Sequence, residues 1–514
     1  MKTKHIVILT VILCGLVYAN TLVNGFVSDD IADIVKNPRM GQLRIFLFSP
    51  HNLLNSLIFR IAGTGSPVVY HLVSIALHAS VSVLVYFFLR VFFAPRASML
   101  GAALFAVHPI HVEAVTWISG RPYVLLGLFT LGGFLLYHKA MEKWTAKPAQ
   151  PSGMPLFLCC YIASLALFSY YLYRNYAFYF MFPLLLLSYD LIFNRIKRTW
   201  RWLIPYFLVL GLRLFLSRTA ITGRVEHVAH QMEGGFVWTN PLFNMVYSFF
   251  SHLGLLLWPA NLTLYHEPPV ITVFWLRVGI VGLIITAGLL VYLYRKAKPL
   301  CFALCLFGMF LAPTYSPVTI SWLLAERYLY VPSVALTILL AFIYQKYIIS
   351  SIRLRRAGLV LCTVIIAGYA VRTVARNEDW RTPPRLWRAT VAASPQSPRA
   401  HNNMGDVYAQ EGNYQKSLES FKKAIALKPH YADAYHNVAN IHEVTGNREE
   451  AIAYYSKAIQ LNPRLYQSYQ RLALIYNTLG DQQLAVRLWN RGQELQKAVT
   501  AAQGKVFAQG AGEE

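Results

Sequence analysis

Three repeats of one length close this chain, behind roughly 370 residues of mostly apolar sequence. Residues 399–432, 433–466 and 467–500 run in register at a period of about 34 residues. Ala400, Ala434 and Ser468 align, as do Gly405, Ala439 and Ala473, then Tyr408, His442 and Tyr476. Gly412, Gly446 and Gly480 share one position, Ala424 and Ala458 another, and Pro429 and Pro463 a third. The small residues let paired helices approach. The glycine permits the turn between them, and the proline ends the second helix. Such a helical hairpin cannot bury its apolar face alone, so the repeats must stack into an array.

That period and those positions are the tetratricopeptide (TPR) pattern. Pro395 stands one period ahead of Pro429, so residues 377–398 are expected to add a connecting helix or half-repeat, with Trp387 packed on the first repeat. The helix from 484 to about 500 should cap the array, and 501–514 is read as a disordered tail.

The rest is read as a membrane domain, residues 1–376. The chain is 56% hydrophobic and only 14% charged, where a soluble protein carries about 25% charged residues. Mean hydropathy is +0.41, and several runs reach the ~20 apolar residues that span a bilayer. The net charge of +24 does not point to nucleic acid, because Lys and Arg gather in short loops between apolar runs. Cysteines 14, 159, 160, 301, 305 and 362 all lie in apolar runs and read as small core residues. Lys2 to Tyr18 resembles a signal peptide, but its cleavage site is weak and it reads as a retained first span.

Apolar segments fall near 5–22, 68–93, 97–117, 121–138, 155–172, 176–194, 200–217, 241–258, 271–294, 300–316, 325–346 and 356–374. Lys2 and Lys4 place the N-terminus inside, and the basic loops at 90–96, 139–147 and 195–201 fall inside at every second crossing. The clusters at Arg295–Lys298 and Arg353–Arg356 follow only if 241–258, with Asn244 and His252, does not cross. The expectation is therefore an all-α chain of about 11 spans followed by a TPR α-solenoid. The array lies opposite the N-terminus, in the periplasm of a bacterial inner-membrane protein or the lumen of the endoplasmic reticulum.

Three polar blocks would meet on that outer side. Asp29 and Asp30 follow the first span, and paired carboxylates at a membrane mouth must be solvated, paired or used. Either can take a proton from an attacking hydroxyl. His108, His111 and Glu113 lie between two spans, followed by Gly120 and Arg121. The H-x-x-H-x-E spacing is not that of a zinc protease helix, and Pro109 should kink the segment. These groups are expected to bond across the bundle or reach a polar substrate; metal binding is left unknown. Glu326 and Arg327 open a late helix, where the Arg suits phosphate oxygens and the Glu can hold it in place.

Phe26–Asp30, His108–Arg121 and Glu326–Ser333, in this order and ahead of TPR repeats, resemble the TMTC family of transmembrane, TPR-containing O-mannosyltransferases and their prokaryotic relatives. Tyr70-His71-Leu72 with His78, and Asn377 to Trp387, match as well. The resemblance implies a GT-C glycosyltransferase architecture, a polyprenyl-phosphate-linked sugar donor, and a protein or glycan acceptor. It implies Asp29 or Asp30 as catalytic base and Arg327 facing the donor phosphate. His108, His111, Glu113, Arg121 and Glu326 would line the substrate. The chain departs from the pattern at Ser28, where the family has Trp, and at Arg121-Pro-Tyr, where it has Arg-Asp. It also departs at Tyr171 to Asn175, in place of a Lys-Glu pair, and near Pro50–Asn52, where an Arg-Pro is missing. A glycosyltransferase is thus the leading expectation, with a protein partner in the TPR groove and a divalent metal left open. The alternative is a non-enzymatic membrane scaffold on the same fold. A transporter is weaker, since no interrupted helices recur between two halves.

Overall fold

The computed structural model describes residues 2–47, 49–145, 154–174, 179–216, 218, 241–267, 273–315, 322–348 and 352–508, apart from some side chains within them. The described residues form helices and no strands. The chain divides into two units. One comprises Met1–Ile221, Trp238–Leu264 and Pro268–Thr382; the other includes Tyr265–Glu267 and Pro383–Glu514. The boundary thus falls a few residues beyond 376, because the helix Ile352–Asp379 carries the first unit past that point.

The first unit is a membrane bundle. Eight described helices are long and apolar enough to cross a bilayer: Thr3–Val23, Pro67–Arg90, Ile118–Thr145, Met154–Tyr173, Ile196–Leu216, Phe274–Lys296, Lys298–Tyr315 and Arg353–Asp379. A ninth, Pro95–Val107 with Pro109–Thr116, is bent by 48°. Phe182–Ile192, Leu242–Leu257 and Val334–Ile348 are apolar but of 10–17 residues. At 1.5 Å per residue they fall short of a ~30 Å hydrocarbon core. Eight or nine long spans together with these three shorter apolar helices are roughly consistent with the expected 11 crossings.

The bend has a local cause. His108 precedes a proline and takes an extended conformation (φ −68°, ψ 124°), as residues before proline do. The chain then advances in three short turns, Pro109–His111, Val112–Thr116 and Ile118–Gly120. Gly120 closes them tightly, since a Cβ there would lie 2.4 Å from the Glu113 carbonyl oxygen. An irregular backbone at this depth is tolerated only where protein buries it, and nearly every residue from 108 to 120 is buried.

The second unit is the repeat array. Its helices are Pro383–Ala393, Pro398–Gln410, Tyr414–Leu427, Ala432–Val444, Arg448–Leu461, Tyr466–Thr478 and Gln482–Ala508. Gly412, Gly446 and Gly480 stand at φ +75°, +83° and +88°, so the turns need glycine for its backbone freedom rather than for space. Nothing would touch a Cβ at these three positions within 4 Å. Gly405 is the reverse case, because a Cβ there would meet the Phe421 ring at 2.5 Å. Trp387 stacks on Tyr265, with ring centroids 5.7 Å apart. The last helix runs on to Ala508, so the disordered tail expected from 501 does not begin there. Residues 501–508 carry alanine, glutamine and lysine with no proline, and they extend the helix before them. Residues 509–514 lie outside the described residues.

Candidate functional site

The loop after the first span reaches the broken 108–120 segment. Ser28 takes a left-handed φ of +53°, a conformation uncommon outside glycine, at the residue just before the two acids. Asp30 is fully buried. Its Oδ1 accepts from the Ser119 backbone N–H at 2.8 Å and from the Ser119 hydroxyl at 2.6 Å. Its Oδ2 accepts from Val27 N–H at 3.3 Å. Burial pushes its pKa up to about 7 against the pull of those donors and of the Arg121 charge. Asp29 is exposed. Surrounding protein still raises its pKa, while the Arg327 charge and the Ser28 hydroxyl pull it back down. The two carboxyls therefore differ: Asp30 is locked into the fold, and Asp29 faces solvent within the field of Arg327.

Arg327 is itself fixed from the broken segment. Glu113 Oε1 pairs with its guanidinium, and Glu113 Oε2 accepts from its backbone N–H at 2.8 Å. Trp117, Tyr123 and Tyr328 present ring faces at 5.7, 5.9 and 5.1 Å from the guanidinium carbon. The Glu that holds Arg327 is therefore Glu113 and not its neighbour Glu326. Glu326 pairs at 3.3 Å with Arg376, which also bonds Asp379 at 2.8 Å. A short 3-10 turn, Glu326–Leu329, points adjacent side chains different ways, a geometry that adjacency in sequence does not reveal.

His108 and His111 turn into the bundle. His108 Nε2 faces the Leu256 carbonyl at 3.1 Å, and its Nδ1 accepts from Ile110 N–H at 3.2 Å. His111 Nδ1 faces the Phe105 carbonyl at 2.9 Å, and its Nε2 lies 2.8 Å from Ser333 Oγ. His78 joins them, between Tyr330 OH at 2.8 Å and the Ala106 carbonyl at 3.1 Å. Each ring has one nitrogen on a carbonyl and the other on a group able to donate, the pattern of a neutral imidazole. Among the described residues no group of three His, Cys, Asp or Glu side chains could hold a metal ion.

Arg121 is fully buried. It donates to Ser74 Oγ at 3.1 Å, Asn55 Oδ1 at 2.5 Å and the Tyr70 carbonyl at 3.0 Å. The Arg174 side chain lies outside the described residues. The structure thus brings Asp29, Asp30, Glu113 and Arg327 to one end of the bundle, and places His108 and His111 in its interior. Ser119 and Arg376 were missed as contributors, although both stand inside or beside the sequence blocks already singled out. Asn377 is a third: it bonds Thr116 Oγ1 at 2.9 Å and the Val17 carbonyl at 3.0 Å, tying the late helix to the first span and the broken segment.

Comparison with known proteins finds relatives for both parts of the chain. The tetratricopeptide repeat family matches residues 396–464. Over 470 residues the chain is 26% identical to mouse protein O-mannosyl-transferase TMTC3, covering 79% of this chain and 49% of that one. The chain is TMTC-like. Human TMTC4 is 25% identical over 445 residues, 72% of this chain and 56% of its own length. Tmtc3 of Drosophila melanogaster is 25% identical over 505 residues, 80% and 54%. The chain therefore spans about half the length of the curated TMTC relatives it matches.

Proposed function

We propose that this membrane protein is a glycosyltransferase. It takes a sugar from a polyprenyl-phosphate carrier and passes it to a hydroxyl of a protein or glycan on the outer face of a bacterial inner membrane or of the endoplasmic reticulum. The observation that carries the reading is Asp29. It is an exposed carboxyl within the electrostatic reach of Arg327, on a loop pinned by Asp30 to Ser119. The names of the TMTC relatives support the reaction class.

In the step, the acceptor oxygen attacks the anomeric carbon while Asp29 takes its proton. The bond from that carbon to the phosphate oxygen breaks, and its electron pair leaves with the phosphate. Fixed cations at the same end of the bundle stabilise the departing charge. Asp30, held by Ser119 and Val27, positions the loop rather than taking the acceptor's proton. The apolar outer faces of the helices give the polyprenyl chain a lipid-like path, and the TPR array offers a surface for a protein partner or acceptor.

The test is to incubate the purified protein with several polyprenyl-phosphate hexoses and a mixture of hydroxyl-bearing peptides and glycans. Release of the phosphorylated carrier with any one sugar supports the proposal. No release with any donor, from protein that still binds them, moves the assignment to the scaffold.

A further inference from the structure

Among the described residues three guanidinium groups are nearly or fully buried in the membrane unit. Arg327 is paired with Glu113, and Arg376 with Glu326 and Asp379. Arg121, 0% exposed, has only neutral oxygens on its nitrogens. Among the described residues no carboxylate makes an ion pair with it. Asp30 feels its charge from farther off but spends its own oxygens on Ser119 and Val27. A buried cation without a counter-ion is costly, and an anion is the partner that would relieve it.

The neighbouring helix Pro50–Ala62 carries a second polar group that an anion would satisfy. Asn55 Oδ1 is committed to Arg121, so its Nδ2 faces His51 Nε2 at 3.1 Å. Nε2 must then accept, which assigns the ring proton to Nδ1. That Nδ1–H is buried and has no hydrogen-bond partner among the described residues, on a residue only 9% exposed. It stands in the first turn of a 13-residue helix whose N-cap, Ser49, makes no side-chain cap bond. The positive end of a helix with open N–H groups favours a phosphate.

We propose that the first turn of Pro50–Ala62, with His51 and Arg121, is the subsite for the phosphate of the lipid-linked donor. His51 Nδ1–H and the helix N-terminus meet the phosphate oxygens, and Arg121 supplies the charge through its field. The assignment rests on the glycosyltransferase reading but is separable from it, because Arg327 is the competing seat for the same phosphate.

The experiment titrates the purified full chain, in nanodiscs of zwitterionic lipid, with a polyprenyl monophosphate, with the polyprenol lacking phosphate, and with inorganic phosphate. Wild type should bind the polyprenyl phosphate at least tenfold tighter than the polyprenol. His51→Ala should remove most of that preference, and His51→Arg should keep it. His51→Phe, which keeps a packed ring without the donor, replaces the alanine variant if that one fails to fold. Full preference retained in His51→Ala and His51→Phe but lost in Arg327→Met would move the phosphate to Arg327 and leave the glycosyltransferase reading standing. Equal binding of phosphate and polyprenol by wild type would sink both. Inorganic phosphate bound through His51, with no competition from the lipid, would make this a free-anion site and overturn the donor assignment.

Discussion

Replacing Glu113 with Gln should both destabilise the bundle and change the acidity of Asp29. Both carboxylate oxygens of Glu113 are in use, one on the Arg327 guanidinium and one on the Arg327 backbone N–H. A glutamine keeps one acceptor for the backbone but turns an NH₂ toward the guanidinium, and its charge is gone. Arg327 is only 7% exposed, so it is left as an uncompensated buried cation. Breaking such a pair costs about 3–5 kcal/mol. Removing both charges, as in Glu113→Gln with Arg327→Met, should recover at least ~1 kcal/mol relative to the sum of the single effects. Unfolding in mixed micelles, read by helical signal against detergent fraction, measures all four corners of the cycle. The electrostatic consequence is independent of that loss. With Glu113 neutral, the Arg327 charge is no longer offset and favours the Asp29 carboxylate more strongly. The acid limb of carrier release should move to lower pH in Glu113→Gln and to higher pH in Arg327→Met. Single effects that add within ~0.5 kcal/mol, with an unmoved acid limb in both variants, would refute the pairing.

Three further outcomes follow. Gly405→Ala should cost about 1–3 kcal/mol by overpacking and be partly rescued by Phe421→Leu. Gly446→Ala should cost about 1 kcal/mol through its positive φ and find no such rescue; thermal unfolding of the full chain reports both. Asp30, raised to about 7 when folded against about 3.9 unfolded, contributes stability that is full below the unfolded value and is lost as pH rises through about 7. Asp30→Asn should flatten the stability profile between those two pH values, and an unchanged slope would contradict the burial of this carboxyl. Finally, an accessibility tag at Arg198 should report the inner side and a tag after Gly480 the outer side; the same side for both would overturn the charge-derived topology.

The array was legible because its signals are local: a fixed period, a turn glycine and a helix-ending proline. The break at His108-Pro109 was legible for the same reason, since proline acts on the residue before it and on the helix it interrupts. Which charged groups pair was not legible. Glu326 adjoins Arg327 in sequence, yet the structure gives Arg327 to Glu113, some two hundred residues earlier, and Glu326 to Arg376. His51 left no sequence signal of its own. Its importance comes from the Asn55–Arg121 chain of hydrogen bonds, which only the folded arrangement assembles. His108 and His111 stood out in the sequence as candidates to reach a polar substrate, but both ring nitrogens of each are spent inside the bundle.

The central claim is that Asp29 is the base and Asp30 its anchor. The most direct measurement is carrier release from the cognate polyprenyl-phosphate sugar by wild type, Asp29→Asn and Asp30→Asn, all reconstituted at matched fold and donor occupancy. Loss of a general base costs typically about 10²–10⁴-fold. Asp29→Asn should therefore lose at least a hundredfold in turnover with donor binding unchanged, while Asp30→Asn keeps a measurable rate. Wild-type turnover in Asp29→Asn, or none in Asp30→Asn beside a fully active Asp29→Asn, would contradict the account.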